Sequence, residues 1–219
     1  MAKVTKKEEE LRQQNMQEAV SKTEEFFKKY GNMMYGCILA VLAYNRFILQ
    51  PKKQQATDQM AQAERWFLAG EYELALNGDD NDPGLLDIID QYGSKAGEAV
   101  YMYAGVAALQ TGDFQGAIDQ LKKYDGKDPI LKARAEACIG DAYTELQDYN
   151  NAISYYQKAA KTTGNALAAA YLLKAGIVAE EAGDKAQALS FYKEIKDKWG
   201  NAPEAMEIDK YISRIEIAE

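Results

Sequence analysis

A glycine recurs at a nearly constant interval through the second half of the chain, and its surroundings recur with it. Gly140 is followed by Tyr143, Ala152, Tyr156 and Ala159, the spacing at which two short helices pack into one hairpin. Gly140 and Ala152 are small where the two backbones must come close, and Tyr143 and Tyr156 fill the space around that contact. Gln147-Asp148-Tyr149 reads as the turn between the helices. Upstream, Gly105, Gly112-Asp113-Phe114, Ala117, Leu121, Tyr124 and Pro129 reproduce the layout, and downstream Gly176, Gly183-Asp184, Ala188, Tyr192 and Ile195 do the same. The steps from Gly105 to Gly140 to Gly176 are 35 and 36 residues. A fainter copy lies at Trp66, Gly70-Glu71-Tyr72 and Ala75, separated from the next by an acidic loop.

The run Ile139-Gly140-x2-Tyr143 followed by Ala152-x3-Tyr156-x2-Ala159 resembles a tetratricopeptide repeat, a unit of about 34 residues. The resemblance implies an all-α fold, a solenoid of helical hairpins that buries its core in a row and needs a cap at its open end. On this reading residues 51–96 hold a lead-in helix and a degenerate repeat, 97–200 hold three repeats and 201–219 form the capping helix. Pro203 is expected to start that cap, with Ala205, Ile208, Tyr211, Ile212 and Ile215 on one face. Pro51 likewise is expected to open a helix, with Ala56, Met60, Ala63, Trp66 and Phe67 on its inner face.

Residues 1–29 form a tail of mixed charge, Lys3, Lys6, Lys7 and Arg12 beside Glu8 to Glu10, readable as a loose helix or as disorder. Ser21-Lys22-Thr23-Glu24 has capping-box spacing and predicts a helix start. Met33 to Ala43 is the one long uncharged apolar run. Extended over residues 30–50, with Arg46 snorkelling and Tyr30, Tyr35 and Tyr44 at the interfaces, it reads as a single membrane anchor; a buried core helix is the competing reading. A charged tail, Phe26-Phe27-Lys28-Lys29, one apolar span and then repeats resembles the YfgM-like ancillary translocon subunits of bacteria. That resemblance implies a single-pass inner-membrane protein with its repeats in the periplasm, working with the export channel, exported chains or periplasmic chaperones.

Composition removes several classes of function. A net charge of -8 and a pI near 4.8 argue against sequence-independent binding of nucleic acid, which needs basic surface. There is no histidine, hence neither the commonest general base nor the commonest zinc ligand. Cys37 and Cys138 make no disulfide framework, and Cys138 is expected as a small buried hydrophobe. The loop Asn77 to Gly84 carries Asp79, Asn81, Gly84 and, further on, Asp90 at partly calcium-like offsets, but Pro83 stands where an oxygen ligand belongs, so a solvated capping loop is favoured. No nucleophile elbow, phosphate loop or metal-ligand spacing occurs, and neither catalysis nor a cofactor is expected.

In the resembled family the first helix of each hairpin lines the concave face. Carried over, this puts Met102, Tyr103, Val106 and Leu109 in a groove from one repeat. Arg134, Ala137, Asp141 and Glu145 come from the next, and Leu173, Ile177 and Glu180 from the third. The Lys and Asn donors of a carboxylate clamp are missing, leaving an apolar groove with an acidic middle suited to an amphipathic or basic-apolar helix. Several of these side chains could instead be core between hairpins. The expected function is a membrane-tethered, non-enzymatic protein-binding module; a soluble, cytoplasmic adaptor and an envelope assembly factor are the alternatives.

Overall fold

Helix-forming sequence punctuated by Gly-Asp pairs folds, in a computed structural model describing residues 2–217, into helices joined by tight turns. The side chains of residues 2–10, 13–15, 17 and 18 lie outside the described set, and with them the tail charges Lys3, Lys6, Lys7 and Glu8 to Glu10. The order is α1 (Ala2–Tyr44), a π-helical turn (Asn45–Leu49), α2 (Gln50–Ala69), α3 (Tyr72–Asn77) and α4 (Leu85–Tyr92). Then come α5 (Ala99–Thr111), α6 (Phe114–Leu121), α7 (Pro129–Glu145), α8 (Tyr149–Thr163), α9 (Ala168–Glu181), α10 (Lys185–Lys198) and α11 (Ile208–Ile217). The described residues contain no strand, only an isolated antiparallel bridge between Gly78 and Pro83. The chain divides into two units, 1–52 and 53–219.

In the first unit the tail is helical. The predicted helix start at Ser21 is absent: α1 runs through it, and the Thr23 hydroxyl donates to the Ala19 carbonyl at 2.7 Å instead of capping. Nor does Pro51 open a fresh helix. Proline offers no N–H and its ring collides with the carbonyl four residues back, so the preceding turn widens and the Gln50 N–H reaches Asn45, five residues back. The apolar run is not a core helix here, because Ile38, Leu39, Val41 and Leu42 are all exposed. Within Ala19–Ala69 one 18-residue window reaches mean hydropathy 1.3 with none of it buried, long and apolar enough to cross a membrane by length and composition.

In the second unit the hairpins share one turn design. Gly70, Gly112, Gln147 and Gly183 take φ of 79°, 84°, 59° and 84°, the left-handed region that ends a helix. The next residue then caps the second helix: Asp113, Asp148 and Asp184 accept from the N–H groups of Gly116, Asn151 and Gln187. Glu71 makes no such cap, one reason the first copy is degenerate. Gln147 holds the left-handed position without glycine's freedom.

Pairing of the two helices rests on the small residues. A Cβ added at Gly140 would meet the Tyr156 ring, one at Gly176 the Tyr192 ring, and one at Gly105 the Leu121 side chain. These contacts link α5 to α6, α7 to α8 and α9 to α10 at one constant sequence spacing. The core forms two clusters that meet at α7: Ala135, Cys138, Ile139 and Ala142 belong to the first, Ala133 and Ala137 to the second. A helix walled by core on two sides must be small and apolar nearly all round, which explains the alanine content of α7. Its buried Glu136 accepts a hydrogen bond from the Thr162 hydroxyl at 2.6 Å. Lys158 stands 3.1 Å from its other oxygen, an ion pair whose angle makes no hydrogen bond.

At the C-terminal end Ile208, Ile212 and Ile215 of α11 are buried in the second cluster, covering the open end. Pro203 opens a 3-10 turn (Pro203–Met206), and the α-helix begins only at Ile208. In the acidic loop the Asp79 carboxylate accepts from the N–H groups of Asn81 and Asp82, both at 2.8 Å, which holds it below the usual carboxylate range. It acts as a turn-former.

Gly176→Ala should lower stability in urea unfolding by about 1–3 kcal/mol, because the Tyr192 ring it meets is fully buried and cannot swing aside. Gln147→Gly should raise it by roughly 0.5–1 kcal/mol by relieving the left-handed strain.

Candidate partner-binding groove

The first helices of the first two repeats, α5 and α7, enclose a cavity of about 350 Å³. Met102, Tyr103, Val106 and Arg134, four of the residues expected in a groove, line it. Spacing alone did not reveal the remainder: Phe67, Glu98, Ala99, Tyr124 and Leu131. Ala99 and Leu131 lie three residues before Met102 and Arg134, so carrying each face one turn toward the N-terminus would have found them. Phe67 comes from α2 and Tyr124 from the loop after α6, placements that only tertiary packing supplies. Phe67 stacks edge-on against Tyr103 with centroids 4.9 Å apart, making an aromatic wall. Glu98 is not free at this cavity, since it accepts from the Asp125 N–H at 3.0 Å.

The other expected residues fall outside this cavity. Leu109 and Leu173 are partly buried against the two core clusters, Ile177 and Glu145 are exposed, and Ala137 is a core residue, only 4% exposed. Asp141 and Glu180 are not available as an acidic middle. Asp141 accepts from the Tyr156 hydroxyl at 2.7 Å and pairs with Lys174 at 2.6 Å. Glu180 accepts from the Tyr192 hydroxyl at 2.6 Å and pairs with Arg214 of α11, also at 2.6 Å. Both acids thus bind the hairpins together, and the charge read from the sequence is locally neutralised. What is left at the cavity is apolar surface with the Arg134 side chain at its edge.

Burial, then the neighbouring Asp141 charge, pushes the Tyr156 phenol up. Burial and the hydrogen bond to Glu180 do the same to Tyr192. Both hydroxyls therefore stay protonated donors well into alkaline solution. Burial also raises the Cys138 thiol to about 11, so it is an inert packing group and not a nucleophile.

A raised phenol pKa adds stability that is complete below the unfolded tyrosine value of about 10 and is lost as pH rises above it. Urea midpoints should therefore fall with pH above about pH 10, and the fall should be shallower in a Tyr156→Phe, Tyr192→Phe double variant. That variant should also lose about 1–3 kcal/mol per hydroxyl near neutral pH, where the donors to Asp141 and Glu180 are missing.

Among the described residues no group of three or more acids, cysteines or histidines is placed to hold a metal ion. No curated protein matches the chain. Residues 139–203, from within α7 to the turn after α10, match the tetratricopeptide repeat family, and the hairpins of that stretch are similar to its repeats.

Proposed function

We propose that this chain is a membrane-tethered protein-interaction module that holds an apolar segment of a protein partner in the α5–α7 cavity. The observation that carries this reading is the cavity itself: Phe67, Met102, Tyr103, Val106 and Leu131 form a largely apolar hollow of about 350 Å³. Its size is that of a small-ligand pocket, enough for one or two large side chains. Tetratricopeptide repeats act generally as non-catalytic interaction modules, and residues 139–203 match that family. Arg134 at the rim favours a partner whose apolar anchor is flanked by a carboxylate, in place of the basic-apolar helix that unpaired Asp141 and Glu180 would have suited.

The tether is residues 30–50. From Tyr30 to Asn45 no residue is charged, about 24 Å of helix at 1.5 Å per residue. That is short of a ~30 Å hydrocarbon core, and Lys28, Lys29, Arg46, Lys52 and Lys53 make up the difference by snorkelling from both ends. Exposure of Ile38, Leu39, Val41 and Leu42 supports a lipid-facing role over a soluble adaptor. The layout of tail, span and repeats supports a place beside the protein-export channel with the repeats outside the membrane. Anchoring would raise the effective concentration of a weak groove near its partner.

A photoreactive residue at Met102 should capture exported chains, channel subunits or envelope chaperones in living cells. Capture of one fixed cytoplasmic complex would sink the export role. Val106→Glu should weaken capture at least about tenfold with helix content unchanged, since it places a charge in the apolar hollow. Alkaline carbonate should leave the full chain in the membrane pellet; release into the supernatant would return the adaptor reading.

A further inference from the structure

The α1 helix carries a seam that its own unit leaves uncovered. Val20, Phe27, Met34 and Val41 fall at every seventh residue, and Met16, Thr23, Tyr30, Cys37 and Tyr44 fall at every seventh residue three places on. This is the alternating three-four spacing of the a and d positions of a coiled coil, held over about four heptads, a length at which such pairs form. Each charged residue from Lys22 to Lys29 lies off these two rows. The register stops where the structure says it must: the π-helical turn at Asn45–Leu49 adds a residue per turn and throws the rows out of phase.

We propose that α1 pairs in parallel with α1 of a second copy of this chain along the Met16–Tyr44 seam. Lipid is not the partner of the whole seam, because Val20 and Phe27, each 54% exposed, are flanked by Lys22, Glu24, Glu25 and Lys28 in the charged part of the helix. A hollow of about 660 Å³ runs along this face, lined among others by Met16, Val20, Thr23, Phe27 and Gly31. A parallel second copy sets charged flank beside charged flank and apolar flank beside apolar flank over the full length. It also matches size: in a parallel pair each g residue faces the e residue of the following heptad, here Phe26 against Gly31. Phe26 is 50% exposed, and the space a Cβ would take at Gly31 is empty. The pairing does not depend on what the groove binds.

Cys37, exposed at a d position, reports on the seam. In the full chain in its own membranes, with Cys138 replaced by Ala, mild copper-phenanthroline oxidation should link two Cys37 thiols, which lose two protons and two electrons to dioxygen. A single cysteine moved in a Cys37→Ser background should crosslink at Met34→Cys and Val41→Cys, and at least about tenfold less at Asn32→Cys and Leu39→Cys. Phe27→Lys should reduce the Cys37 crosslink by about tenfold while carbonate-resistant membrane retention is unchanged. Equal crosslinking at all positions, no crosslinking at Met34, Cys37 and Val41, crosslinks only to a different protein, or an unaltered yield with Phe27→Lys would each overturn the pairing.

Discussion

The close approach of paired helix backbones at a glycine is the constraint on which the solenoid depends. Gly140 and Gly176 leave room for one tyrosine ring each, and those rings pass between the helices with their hydroxyls delivered to Asp141 and Glu180. In the preceding hairpin the same place is filled by Leu121 against Gly105, which brings no hydroxyl. The difference carries through to the surface: where tyrosine fills the gap, an acid on the first helix is fastened and matched by Lys174 or Arg214. Where leucine fills it, the neighbouring face of α5 stays apolar and closes with Phe67 and Leu131 into the cavity. One packing position thus separates the two repeats whose acids are fastened from the one whose first helix lines the hollow.

Much of this was written in the sequence. The Gly-Asp turns, the interval between repeats, the buried Cys138 and the isoleucines of the cap follow from local chemistry and periodicity, and each sits where that chemistry puts it. The misreadings share a cause: a local signal lost to a longer-range demand. Ser21-Lys22-Thr23-Glu24 has the spacing of a helix start, but helix on both sides recruits Thr23 to bond backward. Asp141 and Glu180 look like free groove acids because their partners, Tyr156, Lys174, Tyr192 and Arg214, lie on other elements. Of the cavity lining, Met102, Tyr103, Val106 and Arg134 came from helix faces read in the sequence and Ala99 and Leu131 lie one turn beyond them, while no spacing rule links Phe67 and Tyr124 to those helices.

The two units hide apolar surface in opposite ways. The repeats bury alanine, isoleucine and tyrosine against their own neighbours, and α11 closes the last face. The N-terminal unit keeps Phe27, Ile38, Val41 and Leu42 exposed, so whatever covers them comes from outside that unit. Bilayer and second helix are compatible covers, because a helix pair inside a membrane still presents its outer flank to lipid.

Since α7 is the wall shared by both core clusters, the repeats cannot come apart at their middle without opening both cores at once. Amide hydrogen exchange would then proceed from the C-terminal rim inward, α11 first, with α7 slowest of all. A segment seated on the outer side of α7 would be felt on its inner side: occupancy of the cavity would slow exchange in α8 and α9, which the ligand never touches. A wall shared in this way would make the solenoid a transmission element as well as a scaffold, a segment bound near Arg134 adding rigidity two helices away.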